Sequence, residues 1–98
     1  MTSGARGISK SVHSPDQATF CELMIGARKS AGLTQHVLAL RLKKPQSFVA
    51  KYEGGERRID VVEFVTIVRA LGADPIKLFS DFVAGMVPVK GKRKGSTK

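Results

Sequence analysis

The chain has 98 residues, with 17 Lys and Arg against 8 Asp and Glu, one Cys and no Trp, enough for one compact domain and little else. No apolar run approaches the roughly 18 residues of a membrane span, and a lone cysteine cannot form an internal disulfide, which fits a reducing cytoplasm. A net charge of +9 puts nucleic acid first among the expected partners, with an anionic membrane surface second.

Residues 1–13 are rich in Ser, Gly and Thr without an apolar period, and a disordered N-terminal arm is expected there. Arg6, Lys10 and His13 have no apolar stretch behind them, so a secretory leader is not expected. The stretch from Gly4 to Gly7 lacks the preceding strand and the Lys-Ser/Thr ending of a phosphate loop.

An ordered domain is expected over 14–87. Ser14 is a good N-cap, Pro15 suits the first helical position and Gln17 completes a capping box. Phe20, Leu23, Met24, Ala27 and Ala31 recur at three- and four-residue steps, which predicts one face of an amphipathic helix. Gly32 stands where that helix should end. Thr34 caps a second helix with Val37, Leu38, Ala39 and Leu42 as its apolar stripe. Lys43-Lys44-Pro45 interrupts it, because proline disfavours helical geometry in the residue before it. A third helix is predicted from Gln46 to Glu53, with Val49 and Tyr52 inward and Gly54-Gly55 closing it.

Asp60-Val61-Val62-Glu63 is a second capping box, opening a segment that ends at Leu71-Gly72. Its β-branched residues (Val61, Val62, Val65, Thr66, Ile67, Val68) would allow a strand. The box, the length, the trailing glycine and the spacing of Val61, Phe64, Val65, Val68 and Leu71 predict a helix instead. Asp74-Pro75 opens a fifth helix with Leu78, Phe79, Phe82 and Val83 on one face. Residues 88–98 carry Lys90, Lys92, Arg93, Lys94 and Lys98 without an acid, and a basic disordered tail is expected. Between the ends the charge is nearly balanced, apart from 41–58. There Arg41, Lys43, Lys44, Lys51, Arg57 and Arg58 outnumber Glu53 and Glu56.

Five short helices with a tight turn between the second and third carry a recognisable set of residues. These are Gly32-Leu33-Thr34-Gln35, Leu38-Ala39, Pro45-Gln46-Ser47-Phe48-Val49, and Lys51-Tyr52-Glu53-Gly54-Gly55-Glu56-Arg57-Arg58-Ile59-Asp60. With them, residues 18–83 resemble the Cro/repressor, or xenobiotic-response-element, helix-turn-helix family. The resemblance implies an all-α, five-helix, lambda-repressor-like domain with the helix-turn-helix at the second and third helices. It implies base reading by Gln46, Ser47 and Lys51: a glutamine can pair bidentately with adenine, and a lysine can reach guanine O6 and N7. Phe48, at another outward position, is open to two readings, a thymine-methyl contact or packing against the second helix. Gln35 matches the position that braces a phosphate at a helix N-terminus. Lys44, Arg57 and Arg58 flank the reading helix and are assigned to phosphates. Arg28 and Glu53 match a structural ion pair that locks the reading helix to the scaffold. The family usually has glycine where this chain has Lys43, at a turn position that requires a positive φ.

An α-helix fits the major groove, where base edges present a full donor and acceptor code. One short helix reads only a few base pairs, which argues for a dimer with two reading helices about 34 Å apart on a pseudo-palindrome. By the same resemblance the fifth helix is the dimer element, and Phe79, Phe82, Val83 and Met86 are the expected interface. The expected protein is a cytoplasmic, sequence-specific regulator that binds double-stranded DNA as a homodimer and represses transcription. Antitoxins, which also bind a toxin partner, and restriction-modification controllers use the same domain; a protein-interaction module that does not bind DNA is the reading from another class. No cofactor, metal or membrane partner is expected, since His13 and His36 lack partner ligands at usable spacing. Cys21 lies beside the apolar face of the first helix, as a packing cysteine would. No nucleophile-base set or carboxylate pair points to an enzyme.

Overall fold

Ser14 opens the first helix with its hydroxyl, which accepts the backbone N–H of Gln17 at 3.1 Å. The computed structural model describes residues 14–86. The arm expected at 1–13 and the basic tail expected at 88–98 lie outside the described residues, as does Val87. Helix α1 runs Pro15–Ser30, α2 Gln35–Leu42, α3 Gln46–Glu53, α4 Val61–Ala70 and α5 Pro75–Gly85. There is no strand among the described residues, so the fold is all-α.

The caps explain the boundaries. Only half of the box expected at the start of α1 forms, because the Gln17 amide points one turn onward, 3.9 Å from the Cys21 sulfur. Gly32 ends α1 at φ +76°, and Leu33 N–H donates back to the Arg28 carbonyl at 3.2 Å, the six-residue closure typical of a glycine-terminated helix. Thr34 Oγ1 accepts from Val37 N–H at 3.1 Å to start α2. At α4 both halves of the box are made: Glu63 N–H donates to Asp60 Oδ1 at 2.7 Å, and Asp60 N–H donates to Glu63 Oε1 at 2.9 Å. This local capping, together with burial of one face, overrides the strand preference of its valines. Asp74 Oδ1 accepts from Ile76 N–H at 2.9 Å at the head of α5.

The core gathers Met24 of α1, Leu38 and Ala39 of α2, Val49 and Tyr52 of α3, and Phe64, Ile67, Val68 and Leu71 of α4 and its cap. Helix α3 packs on both α1 and α2, while α5 packs on α1 and α4. Ala39, 2% exposed, supplies the small side chain that the α2–α3 approach needs. Three residues of the apolar faces expected on α1, α2 and α4 are exposed. Ala31 is exposed beyond the end of α1. Val37 lies about 100° round the helix from Leu38, on the flank of the buried stripe. Val61 stands on the same line as Val68, but as the first residue of α4 it overhangs the core edge and is 75% exposed. Ile67, absent from the expected face, is fully packed instead.

Lys43 ends α2 at φ 58°, ψ 42° and is the one described non-glycine residue at positive φ. The turn needs this left-handed step so that Lys44 N–H can donate to the Ala39 carbonyl at 3.0 Å before Pro45 starts the next helix. A Cβ in this region costs about 1–2 kcal/mol, against a smaller entropic cost for glycine. Lys43→Gly is therefore expected to stabilise the domain by about 0.5–1 kcal/mol, raising the midpoint of thermal unfolding by several degrees.

Candidate nucleic-acid interface

Spacing of 100° per residue divides α3 into two sides. Val49 and Tyr52 are buried, while Gln46, Ser47, Ala50 and Lys51 are exposed along an outer arc of about 140°. The structure thus places three of the residues expected to read bases on one free face of a rigid element.

That face is held from behind by a buried charge. The Glu53 side chain is 4% exposed and that of Arg28 is 11% exposed. Arg28 Nε donates to Glu53 Oε2 at 2.8 Å and Nη2 to Oε1 at 3.1 Å. Its remaining amino group, Nη1, donates to the Leu33 carbonyl at 2.8 Å. Hydrogen bonding to Glu53 is the main cause that raises the arginine pKa above its ordinary value. Gln35 Nε2 also donates to Glu53 Oε1, at 2.9 Å. One carboxylate therefore ties the end of α3 to α1, with the bonds of Arg28 and Gln35 reaching the α1–α2 turn and the start of α2.

Gln35 is half-buried and has a second engagement: its Oε1 accepts from Gln46 Nε2 at 3.4 Å. The residue expected at a phosphate and the residue expected at a base are in contact, and both connect to Glu53.

The flanking cations separate into two places. Lys44 and Arg57 converge on Phe48, with the lysine Nζ 5.4 Å and the arginine Cζ 4.8 Å from the ring centroid. Arg57 is further held by a forked pair with Glu63, Nη2 to Oε2 at 3.0 Å and Nη1 to Oε1 at 3.2 Å. Nη1 also donates to the Arg58 carbonyl at 2.9 Å. The Arg57 bond and the Asp60 backbone hold the Glu63 carboxyl below its usual range. Arg58 is elsewhere, facing α1 around a depression shared with Ser14, Asp16, Gln17 and Phe20. Phe48 itself is half-buried, with its ring edge-on to Tyr52 at 5.5 Å.

On α5 the four residues expected at a dimer interface also divide. Phe79 and Val83 are about half exposed, and Met86 is 38% exposed. Phe82 is half-buried, its ring edge-on to Phe20 of α1 at 5.3 Å, so it is committed within the chain. Ile76, 79% exposed, joins the free stripe. It was readable from its position three residues before Phe79 and seven before Val83.

Cys21 packs against the Tyr52 carbonyl at 3.4 Å, and burial raises its pKa, which disfavours the reactive thiolate. Among the described residues no three of His, Cys, Asp and Glu come together to hold a metal ion, and no helix is long and apolar enough to cross a membrane.

Residues 26–78 match a helix-turn-helix family. Among solved structures, the chain is similar to an XRE-family like protein from Pseudomonas syringae pv. tomato str. DC3000. The two are 44% identical, the alignment covers 79% of this chain and 94% of that one, and the TM-score is 0.70. No curated protein matches the chain.

Removing one partner of a buried pair leaves an uncompensated charge, so Arg28→Ala is expected to cost about 3–5 kcal/mol in denaturant unfolding. Glu63 behaves differently. Its pKa is depressed in the folded state, so its contribution is complete above the ordinary carboxylate value and is lost as pH falls through the folded value. Thermal unfolding between pH 7 and pH 3 should show Glu63→Gln losing less stability on acidification than the wild type.

Proposed function

The chain belongs to the XRE family of helix-turn-helix DNA-binding transcriptional regulators, and we propose that it represses transcription as a homodimer bound to one pseudo-palindromic operator. The observation that carries this reading is the outer face of α3, where Gln46, Ser47 and Lys51 are exposed while Glu53 is locked to the scaffold from behind. A helix held at several points enters the major groove with its side chains already placed, which lowers the ordering cost of binding.

In this reading Gln46 pairs with adenine, Lys51 reaches guanine and Ser47 bonds a neighbouring base edge. Each good bidentate pair contributes about 1–3 kcal/mol of discrimination. Gln35 and the N-terminal end of α2 approach one phosphate, favoured by the positive end of that helix. Lys44 and Arg57 approach the backbone beside α3, and Arg58 approaches it nearer α1. These contacts fix register without reading sequence.

The exposed stripe of Ile76, Phe79 and Val83 supports the homodimer. Below it, Phe20, Ile59, Val61, Phe64, Val65 and Pro75, with Asp60 at its edge, line the rest of a mostly apolar groove of about 280 Å³ between α4 and α5. A two-fold axis through this surface would give one reading helix to each half-site.

Selection of bound duplexes from a random pool tests the whole reading, since it reports specificity, symmetry and half-site spacing together. The expected product is a pseudo-palindrome with half-sites about one helical turn apart; recovered duplexes without a shared sequence would overturn it. Gln46→Ala should change the preferred base at one position per half-site. Lys44→Ala should weaken all duplexes alike and reduce the salt slope by about one. Val83→Asp should yield a monomer in sedimentation and lose affinity for the full site while retaining its fold.

A further inference from the structure

We propose that Phe48 is a positioning residue, whose ring gathers Lys44 and Arg57 into a preformed clamp for the DNA backbone. The proposal rests on the DNA-binding reading above and gives it a part that reads no base.

The two cations come from different segments, Lys44 from the turn before α3 and Arg57 from the loop after it, yet both settle within 5.4 Å of one ring centroid. Like charges brought together repel. The negative face of an aromatic ring is one of the few apolar surfaces that attracts both. Phe48 is suited to this because it is fixed: it packs against the core cluster and lies edge-on to Tyr52. It also borders a groove with Leu42, Val62, Glu63, Thr66 and Ile67, on the α4 side of α3. Glu63 completes the arrangement by holding the Arg57 fork at 3.0 and 3.2 Å. Lysine and arginine side chains otherwise lose much rotamer freedom on binding. Cations ordered before the duplex arrives have less to lose. Their position beside the reading helix fixes how far α3 enters the groove, and every sequence benefits equally.

The test uses the full chain, a duplex recovered from the selection and a scrambled duplex, with binding followed over a range of salt. Phe48→Leu keeps apolar bulk and removes the ring; if it fails to fold by circular dichroism, Phe48→Met gives the same comparison. The expected result is a loss of about three- to tenfold on both duplexes, an unchanged preferred sequence, and a log K against log salt slope shallower by about one to two. Phe48→Tyr, which keeps the ring, should restore both values. In a Lys44→Ala/Arg57→Ala background, Phe48→Leu should cause no further loss.

Unchanged affinity and salt slope in Phe48→Leu would overturn the proposal. So would an altered base preference, which would make Phe48 a reader, or an equal loss in the double-alanine background, which would make it packing alone. Wild-type protein that binds neither duplex would overturn the DNA-binding reading, and this proposal with it.

Discussion

Glu53 carries its charge at the inner end of α3, sealed beneath Arg28 and bonded by Gln35, and the orientation of that helix depends on it. Removing a carboxylate from water is costly, and only close geometry with several donors offsets the cost. Here three side-chain donors meet two oxygens. Hydrophobic packing through Val49 and Tyr52 presses α3 against the scaffold but tolerates small slides and rotations. A forked ion pair tolerates neither, because both its distances and its plane are specified. The helix that faces outward with polar residues is held from within by the least forgiving contact in the domain.

Helix α5 is bound under a different regime. None of its residues is buried, and it is held through the partial burial of Leu78 and Phe82 against α4 and α1. In its outer apolar stripe Phe79 reaches the Phe64 ring at 6.1 Å, while Ile76 and Val83 stay largely exposed in the isolated chain. In the homodimer reading, association would bury that stripe and reinforce the helix at once, so folding and pairing would be linked through concentration.

Much of this was legible in the sequence because it is local. Asp60 and Glu63 sit three residues apart and need only each other, as do Thr34 and the N–H of Val37. The left-handed step at Lys43 was readable through the resemblance, because the family usually has glycine at that turn position. Exposure of Gln46, Ser47 and Lys51 followed from the helical angle once Val49 and Tyr52 were taken inward. What escaped was set by neighbours distant in sequence. Val61 has the correct angle to be buried, but no pattern says where the core stops. Phe79 and Phe82 share one face of α5, and the positions of Phe20 and Phe64 set how far each turns inward. Arg57 and Arg58 are adjacent in a loop without a period. Their divergence depends on Phe48 and Glu63 on one side and on the start of α1 on the other. The half-made box at α1 reflects Cys21, one turn along, as a competing partner for Gln17.

Glu53, Gln35 and Gln46 also form a chain with a direction. A carboxylate only accepts, so Gln35 must turn its NH2 group toward Glu53 and leave its oxygen facing Gln46. Gln46 must then answer with an N–H, which spends one of its two amide hydrogens and leaves one hydrogen and the carbonyl oxygen for an outside partner. That residual pairing of one donor with one acceptor is what the major-groove edge of adenine complements. An ionised acid deep in the fold thus sets which way round a surface amide faces and, in the reading proposed for Gln46, which base edge it suits.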